Sequence, residues 1–165
     1  MKKYIPIFVL TFLVYVFVGG TFTLFDVVVG IIISSLVSVI VTPFIVSDEK
    51  KALDLKRLFY LLVYTIYYLS VAEFKAHAQV IRTIIFGKPD LRPAIVKVNY
   101  KSNNQYAVVS EANSITNTPG TVVIDLNEEK KVFYVHWLYA DKLEEEYCYK
   151  NILEPFENRI RKVFD

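Results

Sequence analysis

Few side chains in this sequence have the types and spacing that a catalytic site or a metal site requires. The two histidines, His77 and His136, lie far apart, and no second ligand stands at a matching spacing from His136. Cys148 is the single cysteine, so neither an internal disulfide nor a cysteine-based metal site can form. The sequence contains no glycine-rich phosphate loop, no nucleophile elbow and no CxxC motif. We therefore predict no catalytic residue, no cofactor-binding residue and no metal ligand, and interpret His136 and Cys148 as structural.

Glu73 is a carboxylate in an apolar setting. By helical spacing it shares a face with Leu62, Ile66 and Leu69, where a carboxylate is costly unless it is paired or faces water. One interpretation is a place on an ion or proton path. The other is a local pair with His77, four residues further along the helix.

The charged residues are distributed very unevenly. Of 165 residues, 54% are hydrophobic and 22% charged, yet residues 1–46 contain only Lys2, Lys3 and Asp26 as charged side chains. A net charge of +2 is too small to indicate a nucleic-acid partner. One Met and few Gln, beside many Lys, Glu and Tyr, favour a heat-adapted protein. The chain therefore combines an N-terminal third that is apolar enough to lie in a membrane with a water-soluble remainder.

Residues 1–46 contain two apolar runs, 4–25 and 27–46, each close to the roughly 20 residues that a membrane-spanning helix needs. The segment 19–23 reads as the turn between them, with Asp26 capping the second helix. This predicts a transmembrane hairpin, although the first run has a cleaved signal peptide as its alternative. Basic residues lie before the first run and after the second, which places both ends of the hairpin in the cytoplasm.

Small residues recur in the second helix at Gly30, Ser34 and Ser38. A stripe of this kind lets another helix approach closely. The partner is either the first helix of the same hairpin or a helix of a different protein chain.

Residues 47–88 predict a basic amphipathic helix from about Leu55 to Phe86. The apolar stretch 58–72 is short for a span, and cations follow it, so we expect the helix to lie along the cytoplasmic boundary. A third membrane span is the alternative. Four tyrosines share one face and are typical of the headgroup level: Tyr60, Tyr64, Tyr67 and Tyr68.

Residues 89–165 predict a small α+β domain with the order β-α-β-β-α. Alternation indicates strands over 94–100, 121–126 and 132–139, and the last two form a hairpin. Thr118-Pro119-Gly120-Thr121 has the proline-glycine order of a type II turn. Asp125 is expected on the solvent side, away from Val122, Ile124 and Leu126.

Two helices complete this domain. Asn103 or Asn104 is expected to cap the first, which runs to about Asn113 and buries Val108, Val109, Ala112 and Ile115. Asp141 and Glu144 form a capping pair for the last helix, and Pro155 should kink or restart it.

This order of parts resembles a known family. The segment Asn-Ser-Ile-Thr-Asn-Thr-Pro-Gly-Thr-Val-Val-Ile-Asp at 113–125, followed by Tyr-Val-His-Trp at 134–137, is similar to the E-type subunits of the Mrp-type multi-subunit cation/proton antiporters. The Arg-Pro-Ala-Ile-Val entry at 92–96 and the paired N-terminal helices extend the likeness over nearly the whole chain.

The resemblance implies a non-catalytic accessory subunit, without cofactors, in the plasma membrane. Its partners would be the bilayer and the other membrane subunits of a sodium/proton antiporter module, and its soluble domain would lie in the cytoplasm. Similar subunits occur in archaeal membrane-bound hydrogenase and sulfane reductase complexes, and the heat-adapted composition favours that respiratory type. A stand-alone Mrp antiporter, or a membrane-tethered domain that binds a soluble partner, are the alternatives.

Overall fold

The computed structural model describes residues 2–46, 48–86 and 91–165. The chain divides into two compact units, residues 1–55 and residues 56–165. The first unit is built from two long helices, α1 (Ile5–Gly19), which a 3₁₀ turn precedes at Lys2–Tyr4, and α2 (Leu24–Ile45). A short helix, α3 (Glu49–Ala52), follows them.

A tight connection joins α1 to α2, as predicted. Gly20 adopts φ +65° and its N–H donates to the carbonyl of Val16, which ends α1. Thr23 caps α2: its hydroxyl accepts from the N–H of Asp26, and the Asp26 carboxylate accepts from the N–H of Thr23 at 2.9 Å. Asp26 therefore completes a capping box around Thr23 and is not itself the cap.

Both long helices meet the length and hydropathy of a membrane span. The segment Lys2–Gly19 has 18 residues and Leu24–Ile45 has 22, and most of their large apolar side chains are exposed in the described chain. A helix of about 20 apolar residues matches the hydrocarbon thickness of a bilayer. The apolar surface of this unit is therefore of the kind that lipid covers.

The second unit begins within the first turn of one long helix that contains a π-helical turn. The helix consists of α4 (Leu55–Tyr67), the π turn Tyr68–Ala72 and α5 (Glu73–Phe86). A π turn holds one residue more than an α turn, so it rotates every later side chain about the helix axis. After the π turn, Ala76 is buried and Phe74 is 72% exposed.

The remainder of the second unit has the predicted order β-α-β-β-α. Its strands are β1 (Ala94–Asn99), β2 (Thr121–Asn127) and β3 (Val132–Trp137), and they form an antiparallel sheet in the order β1-β3-β2. Its helices are α6 (Gln105–Asn117), α7 (Glu145–Cys148) and α8 (Glu154–Phe164). A second π-helical turn, Tyr149–Leu153, joins α7 to α8, whose second residue is Pro155.

Helices α6 and α8 bury one face of the sheet. The fully buried residues that join the layers are Val98, Ala107, Ile115, Phe133, Val135, Leu153 and Ile160. Burial of each large aliphatic or aromatic side chain contributes about 1.5–3 kcal/mol, so this cluster is the main stabilising element of the unit.

Strand β2 corrects one detail of the predicted pattern. A register shift lies between Val123 and Asp125, and it interrupts the alternation at Ile124. Val123 and Leu126 consequently pack on the core, whereas Val122 and Ile124 are exposed. The prediction that Val122 and Ile124 share the inner face with Leu126 is therefore wrong, although Asp125 is exposed as expected.

Two helix predictions are also corrected. Asn104 caps α6 by accepting from the N–H of Tyr106 at 2.8 Å, but Val109 is 57% exposed and does not belong to the buried stripe. Helix α7 begins at Glu145 without a side-chain cap, so Asp141 and Glu144 do not form the expected pair. Asp141 instead lies 3.5 Å from the guanidinium of Arg92.

Candidate functional site

The small-residue stripe of α2 lies against α1 within the same hairpin. Gly30, Ser34 and Ser38 are buried, and Thr42 continues the stripe. A Cβ placed on Gly30 would lie 2.9 Å from Cδ1 of the Tyr15 ring, closer than real contacts allow. Of the two possible partners for this stripe, the structure therefore provides the first helix of the hairpin.

Glu73 forms a local contact with His77. Its carboxylate lies 3.3 Å from Nδ1 of His77, and that nitrogen also lies 2.8 Å from the carbonyl of Glu73. The Glu73 side chain is only 20% exposed, and the His77 side chain is 59% exposed. The arrangement is the i,i+4 pair that the spacing allowed.

The tyrosine face of the long helix packs on the α/β core of its own unit. The guanidinium of Arg159 lies 3.6 Å from the centre of the Tyr67 ring, the Tyr64 hydroxyl bonds the hydroxyl of Ser114, and the Tyr68 ring contacts Phe156. The expectation that these tyrosines mark the headgroup level is therefore wrong for Tyr64, Tyr67 and Tyr68, because their side chains are partly buried against the hydrophobic core of the unit.

Two further contacts fasten the ends of the long helix. Near its start, Arg57 donates to the carbonyl of Val163 at 2.7 Å, at the end of α8. Near its end, the hydroxyls of Thr83 and Tyr139 lie 3.1 Å apart. The helix is thus part of the folded unit over most of its length.

The opposite side of the long helix exposes a continuous apolar face. We call it the apolar face, and it comprises Leu58, Phe59, Leu62, Ile66, Leu69, Phe74, Ile81, Ile84 and Ile85. An exposed apolar patch of this extent marks a surface that a membrane or another protein covers.

The Thr-Pro-Gly-Thr turn closes the connection from α6 to β2. Gly120 adopts φ +102°, and the N–H of Thr121 donates to the carbonyl of Thr118, as a type II turn requires. A Cβ on Gly120 would lie 3.1 Å from Cε2 of the Tyr139 ring. Only glycine satisfies both the backbone angle and the close approach of the ring.

The hydroxyls of this turn are used internally. Thr118 donates to the carbonyl of Ser114, and Thr121 donates to the carbonyl of Ile115 at 2.7 Å. Pro119 occupies the second position of the turn, where its fixed φ is suited. The structure thus brings these four residues together with Tyr139, whereas Glu73 pairs with His77.

Two buried carboxylates were not predicted from the sequence. Glu111 and Glu157 are fully buried in the second unit, on α6 and α8. Glu157 accepts from the N–H of Lys101 and, at 2.7 Å, from the hydroxyl of Tyr149. The helical position of Glu111, four residues after Ala107 and before Ile115, was the available signal.

Among the described residues, Glu111 accepts fewer hydrogen bonds than Glu157. One of its oxygens accepts from the hydroxyl of Ser102, and the other has no hydrogen-bond partner within the described part of the chain. The pKa of Glu111 is raised from 4.5 to about 7, chiefly by burial and also by the nearby carboxylates of Glu157 and Asp165, while the hydrogen bond from Ser102 and the charge of Arg161 oppose the rise.

Cys148 and His136, which we interpreted as structural from the sequence, lie in the second unit. Cys148 is buried, with its sulfur 3.6 Å from the carbonyl of Lys142. His136 lies on the outer side of the sheet, opposite Ile95 and Val122. Across residues 2–46, 48–86 and 91–165, the structure contains no cluster of three or more His, Cys, Asp or Glu residues suited to a metal ion.

Comparison with known proteins identifies the family. Residues 8–163 match the family described as Na⁺/H⁺ ion antiporter subunit. The chain belongs to this family. The resemblance stated from the turn segment and its flanks is thereby confirmed, and the chain is a membrane protein.

Curated relatives are E-type subunits of Na⁺/H⁺ antiporters. The chain is 26% identical to the E1 subunit of the Staphylococcus haemolyticus antiporter over 160 residues, which is 94% of the chain and 93% of the relative. It is 30% identical to the E1 subunit of the Staphylococcus saprophyticus antiporter over 89 residues. In that second alignment the chain spans about half of the relative's length, 54%.

A solved structure has the same fold over the full length. The chain matches a subunit in the structure of the membrane-bound sulfane sulfur reductase, an archaeal respiratory membrane complex, with a TM-score of 0.85 and 25% identity. The match covers 99% of this chain and 100% of the matched one. The predicted fold class is therefore confirmed.

Proposed function

We propose that this member of the antiporter family is a non-catalytic accessory subunit of a sodium/proton antiporter module within a respiratory membrane complex. The observation that carries the proposal is the full-length match to a subunit of the sulfane sulfur reductase complex, at a TM-score of 0.85. The heat-adapted composition supports the respiratory type over a stand-alone antiporter. Other membrane subunits of such a complex would be its partners.

The proposed topology places both ends of the hairpin in the cytoplasm. Lys2 and Lys3 precede α1, Lys50 and Lys51 follow α2, and the turn at 19–23 contains no basic residue. Positive residues next to spans favour the cytoplasmic side. We assign residues 1–46 to this hairpin and residues 89–165 to a cytoplasmic domain.

Residues 47–88 form the interfacial element in this proposal. The apolar face is exposed on one side of the long helix, and the opposite side packs on the α/β core. A helix with one apolar face and basic residues beside it is suited to the boundary between lipid and water. This placement brings the apolar face to the bilayer and keeps the domain in water.

Within the hairpin, Gly30, Ser34 and Ser38 serve helix packing, and Thr118 to Thr121 serve the structure of the turn in the second unit. The contact of Gly30 with Tyr15 and the φ angle of Gly120 support these two roles. Two helices alone do not enclose an ion path, so the larger partners of such a module would conduct the ions.

Glu73 is assigned a local role, as the partner of His77. The 3.3 Å contact supports this role, because a paired carboxylate at the edge of an apolar surface needs no ion path to account for it. Glu73→Gln should leave sodium-dependent proton flux unchanged in membrane vesicles that contain the assembled complex. A loss of flux with normal assembly would instead place Glu73 on an ion path.

Co-purification tests the proposal. A tagged chain is extracted in a mild detergent, and the proteins that migrate with it on a native gel are identified by mass spectrometry. Antiporter-like subunits together with an iron–sulfur or nickel–iron module are expected. Antiporter-like subunits alone would indicate a stand-alone antiporter, and a soluble partner alone would indicate a membrane-tethered binding domain.

A further inference from the structure

A cleft in the second unit is not explained by an accessory role. It has a volume of about 350 Å³ and lies between the long helix, the Thr-Pro-Gly-Thr turn and the segment before α8. This volume is within the range of small-molecule sites in proteins. The turn that distinguishes the sequence thus forms one wall of the cleft, through Pro119 and Gly120.

The polar lining of the cleft includes two lysines. Lys75 enters from the long helix and Lys150 from the π turn before α8, and Gln79 and Asn151 add amide groups. In the described part of the chain, no Asp or Glu side chain lines the cleft, and Lys75 has no carboxylate within ion-pair distance. Lys150 bonds Glu146 at 2.7 Å on the exposed surface.

The rest of the lining is apolar and aromatic. Trp137 and Tyr139 from the end of the sheet, with Ile152 and Phe156 from the segment leading into α8, give the cleft an apolar wall. A ligand that satisfies both parts is amphipathic, with an anionic head between the lysines and an aliphatic portion along the aromatic rings.

The position of Lys75 connects the cleft to the apolar face. Lys75 stands between Phe74, an exposed member of that face, and Ala76, which is buried against the domain. Lysine stems extend along apolar surface while their ammonium groups reach anionic headgroups. The cleft is thus lined by the same helix that the proposed function places at the bilayer surface, where the headgroups of anionic lipids lie.

We propose that this cleft binds the phosphate of an anionic membrane lipid, with Lys75 and Lys150 as the groups that contact the phosphate. The assignment rests on the interfacial placement of residues 47–88 in the proposed function. It adds a ligand site to that placement and gives the Thr-Pro-Gly-Thr turn a role in shaping the wall.

Trp137 reports binding directly, because it is the single tryptophan of the chain and lines the cleft. The full chain in a maltoside detergent is titrated with dihexanoyl phosphatidylglycerol, and Trp137 fluorescence is recorded. Dihexanoyl phosphatidylcholine and glycerol 3-phosphate are titrated in parallel. We expect saturable binding of the phosphatidylglycerol and at least about tenfold weaker binding of the phosphatidylcholine.

Matched variants identify the groups that bind. Lys75→Gln and Lys150→Gln should each weaken binding by about threefold to tenfold, as the loss of one charge-assisted hydrogen bond predicts. Lys97→Gln removes the same charge from the exposed side of β1, outside the cleft, and should leave the affinity unchanged. Circular dichroism confirms that each variant is folded.

Three results would overturn the proposal. Equal affinity for both lipids, or equal affinity of the Lys75 and Lys150 variants and the parent chain, would refute the lysine site. Glycerol 3-phosphate binding as tightly as phosphatidylglycerol would keep the anion site but refute the lipid as its source. None of these results bears on co-purification with antiporter subunits, which tests the proposed function separately.

Discussion

The buried carboxyl of Glu111 should make the stability of the second unit depend on pH. Its pKa is about 7 in the folded chain against 4.5 as the ordinary value. The folded state therefore binds this proton more tightly than the unfolded state. The free energy of unfolding is unaffected by Glu111 below about pH 4.5, falls as the pH rises towards 7, and is then constant.

The size of this effect follows from the pKa difference. One pKa unit corresponds to about 1.4 kcal/mol, so a rise from 4.5 to about 7 lowers the free energy of unfolding by about 3 kcal/mol at pH 8. Glu111→Gln removes the titration and keeps a carbonyl oxygen for the hydroxyl of Ser102. We expect the variant to equal the parent chain near pH 4.5 and to exceed its stability by about 2–3 kcal/mol at pH 8.

Urea unfolding of the full chain in detergent measures this difference. Fluorescence of Trp137 follows the second unit, because Trp137 is the last residue of β3. Glu129→Gln, which removes an exposed carboxylate from the β2–β3 turn, is the matched control and should show no pH-dependent gain. A stability difference between Glu111→Gln and the parent chain that stays constant from pH 5 to pH 8 would refute the reasoning.

Three further predictions concern close packing. Gly120→Ala should destabilise the second unit by about 1–3 kcal/mol in the same urea assay, because φ is +102° and Tyr139 is near, whereas Gly19→Ala, which meets open space, should not. Gly30→Ala should lower the midpoint of thermal unfolding in detergent, and Tyr15→Ala in the same chain should recover part of the loss; no recovery would refute the contact. Arg159→Gln should cost about 0.5–2 kcal/mol, and this cost should be smaller when Tyr67 is already Leu, since the cation–π contact is then absent and the bond from Arg159 to the carbonyl of Pro155 remains.

Much of the fold follows from local patterns in the sequence. The hairpin turn at 19–23, the strand order along the chain and the Thr-Pro-Gly-Thr turn all depend on residues whose backbone preferences are strong, such as Gly20, Pro119 and Gly120. The contact of Glu73 with His77 also follows from their spacing alone. These features need no information from distant parts of the chain.

The missed features depend on tertiary packing. The π turn Tyr68–Ala72 adds a residue to the helix whose Tyr64, Tyr68 and Ala72 pack on the core, and a regular α-helical period does not contain that information. The irregularity at Ile124 similarly moves Leu126 to the core. In both places the packing of the core favours a local irregularity of the backbone. The regular spacing of apolar residues in a helix or a strand does not predict it.

The candidate site was predicted only in part. Gly30 and Gly120 were identified because small residues and turn motifs are visible in sequence. The cleft was not, because Lys75, Trp137 and Lys150 come from three distant segments and meet only in the folded unit. Glu111 was missed although its helical position is readable, since a charged residue is seldom expected inside a core.

The native mass of the particle that contains this chain tests the central claim most directly. A tagged chain, extracted gently from the membrane, is measured by native mass spectrometry together with the proteins bound to it. The account predicts a particle many times larger than the 19.1 kDa chain, with antiporter-like subunits in fixed proportion to it. A particle that contains only this chain would contradict the account.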